Sequence, residues 1–393
     1  MKKITETNSI SEMAGISFDC DCGRKHSVDI GKIFINNKGI AEEILKSVSQ
    51  YKEKEILLVA DTNTYEAYGS FVERILSDSG FNLRTFIFKT RQQLVPDEKA
   101  LGLLLAEIEV KTSLVLAVGS GVINDVCKHV CYKTGKPFII VATAPSMDGY
   151  ASVVSPIILN GIKKTLPGKY PLAIIADTAV LKNAPIDMLR AGFGDIIGKL
   201  TALDDWKLSK IINNELYCET CVKLIENALD KCISNVDKFL ARDEQAVSYV
   251  MEALVLSGVA IGLHGDSRPA SGAEHNFAHY WDMDAISRNA EHPLHGNSVA
   301  VGTVVTAYVY EYMKPYLPDG LPNTDPQKII GLLKRLGSCY SPKDIGISRE
   351  LFIDSMYKAY KLKPRYTIFN LAEEKGMLDK ITKELTEIFY GRS

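Results

Sequence analysis

Apolar positions along the first half of the chain alternate between two spacings. "EILLVAD" (55–61) is a short apolar run that reads as a strand ending on Asp61. "TYEAYGSFVERILSDSG" (64–80) follows with helical spacing and a stop at Gly80. The pattern repeats. "FNLRTFIFKT" (81–90) reads as a strand and "DEKALGLLLAEIEV" (97–110) as a helix. "SLVLAVGSG" (113–121) is a strand running into glycines, "VINDVCKHVCYKTG" (122–135) a helix and "PFIIVAT" (137–143) a fourth strand. "KKTLPGKYPLAIIADTAVLKNAP" (163–185) closes the series with one more strand and a Pro-marked turn. Strands separated by helices predict a parallel sheet with helices on its faces.

From about residue 185 the strand signal nearly vanishes. "IDMLRAGFGDIIGKLTALDDWKLSK", "ETCVKLIENALDKCISNVDKFL", "EQAVSYVMEALVLSGVAIGL" and "NSVAVGTVVTAYVYEYMK" all carry helical spacing. The expected organisation is an α/β domain over 1–184 and an all-helical domain over 185–393. A length of 393 residues suits two domains.

Composition narrows the function classes. A net charge of −2 offers nothing that would draw nucleic acid or a membrane surface. No apolar run approaches the ~18 residues that would span a bilayer. The opening "MKKITETNSISEMAG" has lysines but no apolar core after them, so no signal peptide is expected there. Eight scattered cysteines read as reduced thiols of the cytoplasm. Cys20, Cys22 and His26 in "FDCDCGRKH" stand close together, but a closed zinc site wants four ligands and no second cluster of matching spacing follows. A β-hairpin turning at Gly23 is the expectation for that stretch.

Chemistry concentrates at strand ends and around the histidines. Gly119, Ser120 and Gly121 stand between a strand and a helix start, where free N–H groups and the helix dipole favour an anion such as a pyrophosphate. The bland alternative is a turn capped by Asn124 or Asp125. Asp61, also at a strand end, suits the adenosine ribose and would repel a 2′-phosphate, so NADH is favoured over NADPH. It precedes the glycine loop by about sixty residues, whereas the usual Rossmann acid follows it by ~20. Asp61 is therefore either a helix cap or part of a different nucleotide fold. Thr143, Ser146, Asp148 and Ser152 lie after another strand and suit contact with a flat ring or a ribose.

Five of the seven histidines fall within 264–295. Pro269 is expected to break the helix before them, and Ser271 with Glu274 has the S-x-x-E spacing of a capping box. His275 and His279 then share one helix face. His295 precedes another helix, and Asp195 is placed at a helix start. One carboxylate and two imidazoles with an open position suit a divalent cation such as zinc. Spacing alone does not choose among His264, His275, His279, His292 and His295. A nucleotide loop and a metal site together imply a cleft for alcohol–carbonyl redox chemistry.

"GSGVINDVCK", "TAPSMDGYAS", "GFGDIIGKLTALDDW", "SGAEHNFAHYWD" and "HPLHGNSVAVG" together resemble the bacterial branch of the glycerol-1-phosphate dehydrogenase family, in the iron-containing alcohol dehydrogenase and dehydroquinate synthase superfamily. The resemblance spans about residues 15 to 390. It implies a dehydroquinate synthase-like fold, with a nucleotide-binding domain of non-Rossmann strand order and a helical C-terminal domain. The implied reaction is reduction of the small phosphorylated triose dihydroxyacetone phosphate to sn-glycerol 1-phosphate with NADH or NADPH, a step of phospholipid metabolism. Carried over by position, Asp195, His275 and His295 would hold the metal, and Asp148, His279 and Asp195 would meet the substrate. Gly119, Ser120, Gly121, Val122, Ile123, Asn124 and Asp125, with Thr143, Ser146 and Ser152, would hold the cofactor. His264 and His292 would be structural. Ser120 stands where many archaeal-type members have a third glycine, which leaves nickel open beside zinc.

A homo-oligomer, with a dimer favoured, is expected of the apolar helical domain. Lys199, one helical turn after Asp195, would either pair with Asp195 or solvent, or bind the substrate phosphate. Other readings of the same cleft are a polyol or secondary-alcohol dehydrogenase with no phosphate in its substrate, a dehydroquinate synthase-like cyclase, and a ligand-sensing protein without turnover.

Overall fold

The computed structural model describes residues 10–90, 93–288, 290–321 and 324–391. Most of the opening stretch read for a signal peptide lies outside them.

Ten strands occur among the described residues: β1 Ser17–Asp19, β2 Lys25–Ser27, β3 Lys32–Ile35, β4 Glu55–Asp61, β5 Leu83–Phe88, β6 Thr112–Gly119, β7 Phe138–Ala142, β8 Val154–Leu159, β9 Ile162–Pro167 and β10 Ala173–Ala176. Six of them form one sheet in the order β3-β10-β7-β6-β4-β5, with every neighbouring pair parallel. The inner strands β4, β6, β7 and β10 are buried on both faces, so they read as unbroken apolar runs, whereas the edge strands β3 and β5 are half-buried. Helices α1 Ile40–Val48, α2 Ser70–Asp78, α3 Glu98–Glu107 and α4 Gly121–Thr134 connect them. The strands read from 55 to 143 all form. The helix read from 64 forms as well: the backbone is helical without a break from Thr62 to Asp78, with a π-turn at Tyr65–Gly69 before the regular α2.

The chain runs from β4 outward to β5, then crosses back over β4 to β6. Strand order therefore reverses between β4 and β6, the kind of place where open α/β sheets bind ligands. Val59 pairs with Ala117 and Gly119 with Ala142, so Asp61 and Gly119 end adjacent strands at the same level. The acid lies far from the loop in sequence and beside it in space.

Two antiparallel hairpins, β1-β2 and β8-β9, stand outside this sheet. The first is the hairpin expected at Gly23. The second was not legible, because β9, IKKTLP, runs three polar residues together instead of alternating them with apolar ones.

After β10 the described chain is helical. Its longer helices are α5 Ile186–Ile197, α6 Lys199–Asn213, α7 Glu219–Ser234, α8 Glu244–His264, α9 Ala273–Ser287, α10 His295–Met313, α11 Pro326–Leu336, α12 Arg349–Lys358 and α13 Leu378–Tyr390. Helix α8 corrects one expectation. By length and composition alone it is long and apolar enough to cross a membrane, with a mean hydropathy of 1.8, but 72% of that window is buried inside the fold as a core helix. It ends where the spacing ended, capped by Gly265 with φ 82°, and so is not broken by Pro269.

Candidate active site

Three helix ends converge where the two halves of the chain meet. Asp195 is not at a helix start, as the sequence suggested, but two residues before the end of α5. The helix continues because Asp195 uses its side chain elsewhere. It is fully buried, accepts the Asp148 N–H at 3.1 Å and receives the Lys199 ammonium at 2.7 Å. His275 lies in the first turn of α9, and His295 is the first residue of α10. Helix α10 approaches α5 so closely at Gly296 that a Cβ there would overlap the Ala191 carbonyl. This contact brings His295 to Asp195. The side-chain ligand atoms of Asp195, His275 and His295 all lie within 4.8 Å of one another.

The capping box expected of Ser271 and Glu274 does not form. Gly272 is the N-cap of α9, and the Ser271 hydroxyl is buried with no partner. Glu274 Oε1 instead accepts the Gly272 N–H at 2.6 Å and His275 Nδ1 at 2.7 Å, and Oε2 accepts the Thr201 hydroxyl at 2.8 Å. Holding the proton on Nδ1 leaves the lone pair on Nε2, and Nε2 faces Asp195 Oδ1 at 3.4 Å. A lone pair opposite a carboxylate oxygen needs a proton or a cation between them.

Electrostatics favour the same conclusion. Burial opposes the Asp195 charge, but Lys199 and His275 overcome it and hold its carboxyl far below the usual range. Burial and Lys199 oppose a charge on His275, yet Asp195 and Glu274 raise its pKa. Burial, then Lys163, push His295 down to about 4, so it is neutral near pH 7. Its Nδ1 has no hydrogen-bond partner among the described residues. An anionic carboxylate, an imidazole with an aimed lone pair and a neutral imidazole are the donor set a divalent cation needs, so the residues fit one.

His279 sits one turn along α9, its ring 5.6 Å from that of His295. Burial, then Lys363 and Lys163, hold it neutral. Asp148 Oδ2 receives Lys199 at 2.8 Å and the Ser257 hydroxyl at 2.8 Å. His264 lies apart, edge-on to Trp206 at 4.7 Å. His292 approaches Asp282 at 3.9 Å behind the three clustered residues.

Around the glycine loop the expected residues divide. Gly119 ends β6 where a Cβ would lie 2.6 Å from Ile123 Cβ, so only glycine permits this tight entry into α4. Ser120 is the N-cap of α4 without a side-chain capping bond, so neither Asn124 nor Asp125 caps it. The Ser120 and Ser146 hydroxyls meet at 2.8 Å, and the Thr143 N–H donates to Gly119 O at 3.1 Å. The first-turn N–H groups at Gly121 and Val122 thus start a helix beside Asp61, as a phosphate requires. Asn124, Asp125 and Ser152 turn inward. Sequence reasoning missed Lys128, the fully buried partner of Asp125 and Ser152. Its ammonium donates to Gly149 O at 2.6 Å, Ser152 Oγ and Val154 O at 3.1 Å, and Asp125 Oδ1 at 3.2 Å. This network pins the 143–152 loop between the glycine loop and Asp195. Asp61 caps the turn at 62–64, its Oδ1 accepting the Thr64 N–H at 2.8 Å.

Residues 35–185 match the family model for iron-containing alcohol dehydrogenase. A glycerol-1-phosphate dehydrogenase [NAD(P)+] of Halalkalibacterium halodurans is 32% identical, over 91% of this chain and 96% of the relative. The chain belongs to the glycerol-1-phosphate dehydrogenase family. A second relative of that name, from Bacillus velezensis, is 34% identical over 92% of this chain and 95% of its own. The crystal structure of an iron-containing alcohol dehydrogenase from Corynebacterium glutamicum superimposes with a TM-score of 0.71 at 13% identity, covering 94% and 97% of the two chains. At that identity the likeness concerns the fold.

Lys363 and Lys163 escaped the sequence reading. Lys363, partly buried near Arg365, has its pKa lowered to about 8 by burial and then Arg365. Lys163, on β9, pairs with Asp282 at 2.7 Å. Nothing in "KKTLP" or "KLKPRY" marks these lysines, because only the fold brings them to His279.

Proposed function

We propose that this chain catalyses the reversible reduction of dihydroxyacetone phosphate to sn-glycerol 1-phosphate with NAD(P)H, working between an α/β domain, 1–184, and a helical domain, 185–393. The carrying observation is the Asp195, His275 and His295 cluster joined through the 143–152 loop to the Gly119–Gly121 turn. When bound, a divalent ion such as zinc or nickel at the three side chains supplies Lewis acidity to the carbonyl oxygen, and NAD(P)H supplies the hydride. Lys199 keeps Asp195 anionic, and Glu274 keeps the His275 lone pair aimed. His279, neutral, offers one N–H and one lone pair to a substrate hydroxyl. Asp148, held by Lys199 and Ser257, borders the same space. Asp61, at a strand end level with Gly119, would favour NADH over NADPH by its charge, beside its role in capping the turn at Thr64.

The phosphate needs a cation, and Lys199 is not available. Both carboxylates beside it already hold its ammonium. Lys163 is committed in the same way, held by Asp282 at 2.7 Å; Lys363, whose charge acts on His279, makes no ion pair with any described residue, and we assign the phosphate to it.

The test is NADH oxidation with dihydroxyacetone phosphate and with unphosphorylated ketoses, using enzyme of measured metal content, followed by stereospecific assay of the product. Phosphate-dependent turnover giving the sn-1 isomer is expected. Turnover confined to unphosphorylated ketones, or none with metal bound, would refute the reading.

A further inference from the structure

The hairpin β1-β2 turns at Gly23, with the Gly23 N–H donating to Cys20 O at 2.9 Å and the Cys20 N–H to Arg24 O at 3.0 Å. This turn presents Cys20, Cys22 and His26 on one side. The fourth group lies 198 residues from Cys20. Cys218 is the N-cap of α7 without a side-chain capping bond. Cys20 Sγ and Cys218 Sγ are 3.7 Å apart, His26 Nε2 lies 3.5 Å from Cys218 Sγ, and it lies 3.3 Å from Cys22 Sγ. All four ligand atoms fall within 4.8 Å of one another.

These separations are those of a tetrahedron's edges. Zinc–sulfur bonds of about 2.3 Å place two sulfurs about 3.8 Å apart, and a zinc–nitrogen bond of about 2.0 Å places nitrogen and sulfur about 3.5 Å apart. They are too short for ligands that surround an iron–sulfur cluster. His26 Nδ1 has no protein partner, so Nε2, aimed at the sulfurs, is the engaged nitrogen. Hydrogen-bond donors surround the sulfurs. The Arg24 N–H approaches Cys22, the Cys221 N–H approaches Cys218, and the Thr220 hydroxyl lies 3.3 Å from Cys20 Sγ. The positive end of α7 adds to this.

We propose that Cys20, Cys22, His26 and Cys218 form a structural zinc site, separate from the Asp195 cluster, that fastens the N-terminal hairpin to the helical part of the chain. Zinc binds the three thiolates as their protons are released to solvent, and no redox change is involved. Arg24, inside the same turn, donates to His264 O at 2.8 Å, so the clip reaches the end of α8 from which the chain leads to α9.

The full chain, purified without chelator, is expected to carry one equivalent of zinc beyond the ion at Asp195, His275 and His295. Cys218→Ser and His26→Ala should each lose that equivalent. Because either variant may fail to fold, the unmodified chain supplies a second measurement. Grown with cobalt, it should show sulfur-to-cobalt charge-transfer absorption, which the sulfur-free Asp195 cluster cannot produce. A thiol-modifying mercurial should abolish that absorption and release one metal per chain. Absence of the absorption in cobalt-loaded protein, a Cys20–Cys218 or Cys218–Cys221 disulfide in the protein as isolated, or unchanged metal content in folded Cys218→Ser would overturn the proposal.

Discussion

The Lys199 ammonium sits between two carboxylates, 2.7 Å from Asp195 Oδ1 and 2.8 Å from Asp148 Oδ2, with its side chain almost wholly buried. It links the loop after β7 to α5, and it keeps a negative charge on Asp195 in a site that would otherwise protonate it. Removing one member of a buried ion pair costs about 3–5 kcal/mol, because the partner is left uncompensated. Lys199→Met should therefore lower the stability of the metal-free chain by about that amount in urea unfolding. It should reduce turnover of phosphorylated and unphosphorylated substrates alike. A loss confined to the phosphorylated substrate would return Lys199 to the phosphate site.

Lys363 is expected to behave in the opposite way. Its ammonium makes no ion pair with any described residue, and burial, then Arg365, lower its pKa to about 8. An arriving phosphate would relieve that cost. Lys363→Ala should lower kcat/KM for dihydroxyacetone phosphate by about 2–3 kcal/mol, one charge-assisted bond, and leave unphosphorylated dihydroxyacetone nearly unchanged. Competition by inorganic phosphate should weaken in parallel. Equal losses on both substrates would remove Lys363 from the phosphate seat.

Asp61 has two roles that one variant separates. As a cap it accepts the Thr64 N–H, so Asp61→Ala should cost about 1 kcal/mol of stability. As a charge level with Gly119 it should disfavour NADPH by about 1–2 kcal/mol, roughly tenfold or more in kcat/KM. The variant should narrow that preference. Equal efficiency with the two cofactors in the unmodified chain would leave only the cap.

The parts legible in the sequence were those decided within one element. Strands β4, β6 and β7 announce themselves as apolar runs because both faces are covered, and the helices between them by their spacing. The choice of Asp195, His275 and His295 among the candidate ligands came from the family resemblance, since spacing left five histidines open. What escaped was decided between elements. Periodicity shows that Cys218 begins a helix but not that the helix starts against Cys20. The Ser271 and Glu274 spacing fits a cap equally well whether or not His275 takes the carboxylate, and in the structure it does. Asp195 looked like a helix start because Gly192 and Gly194 flank it. Those glycines instead permit close packing against the 143–152 loop and α10, inside a helix that continues.

A last consequence concerns pH. Asp205 on α6 holds the start of α9 in place. Its Oδ2 accepts the Ala273 N–H at 2.8 Å, and its Oδ1 accepts the Tyr310 hydroxyl and the Ile368 N–H at 2.8 Å each. These bonds favour the anion, but burial and then the Glu274 charge outweigh them and raise the pKa from 3.8 to about 7. Between about pH 4 and 7 the folded chain therefore holds a proton that the unfolded chain has released. Stability from this group is complete below pH 4 and is lost as pH rises through 7. Asp204, raised to about 8 by burial, adds a loss of the same sign. Asp205→Asn removes the titration while keeping the shape. The variant should be the less stable chain at pH 5, having lost an acceptor for Ala273. Relative to the unmodified chain it should then gain about 2–4 kcal/mol by pH 8, read from urea midpoints at fixed metal and cofactor. Parallel curves for the two proteins across that range would show that Asp205 is ionised throughout, and that the three hydrogen bonds, not burial, set its charge.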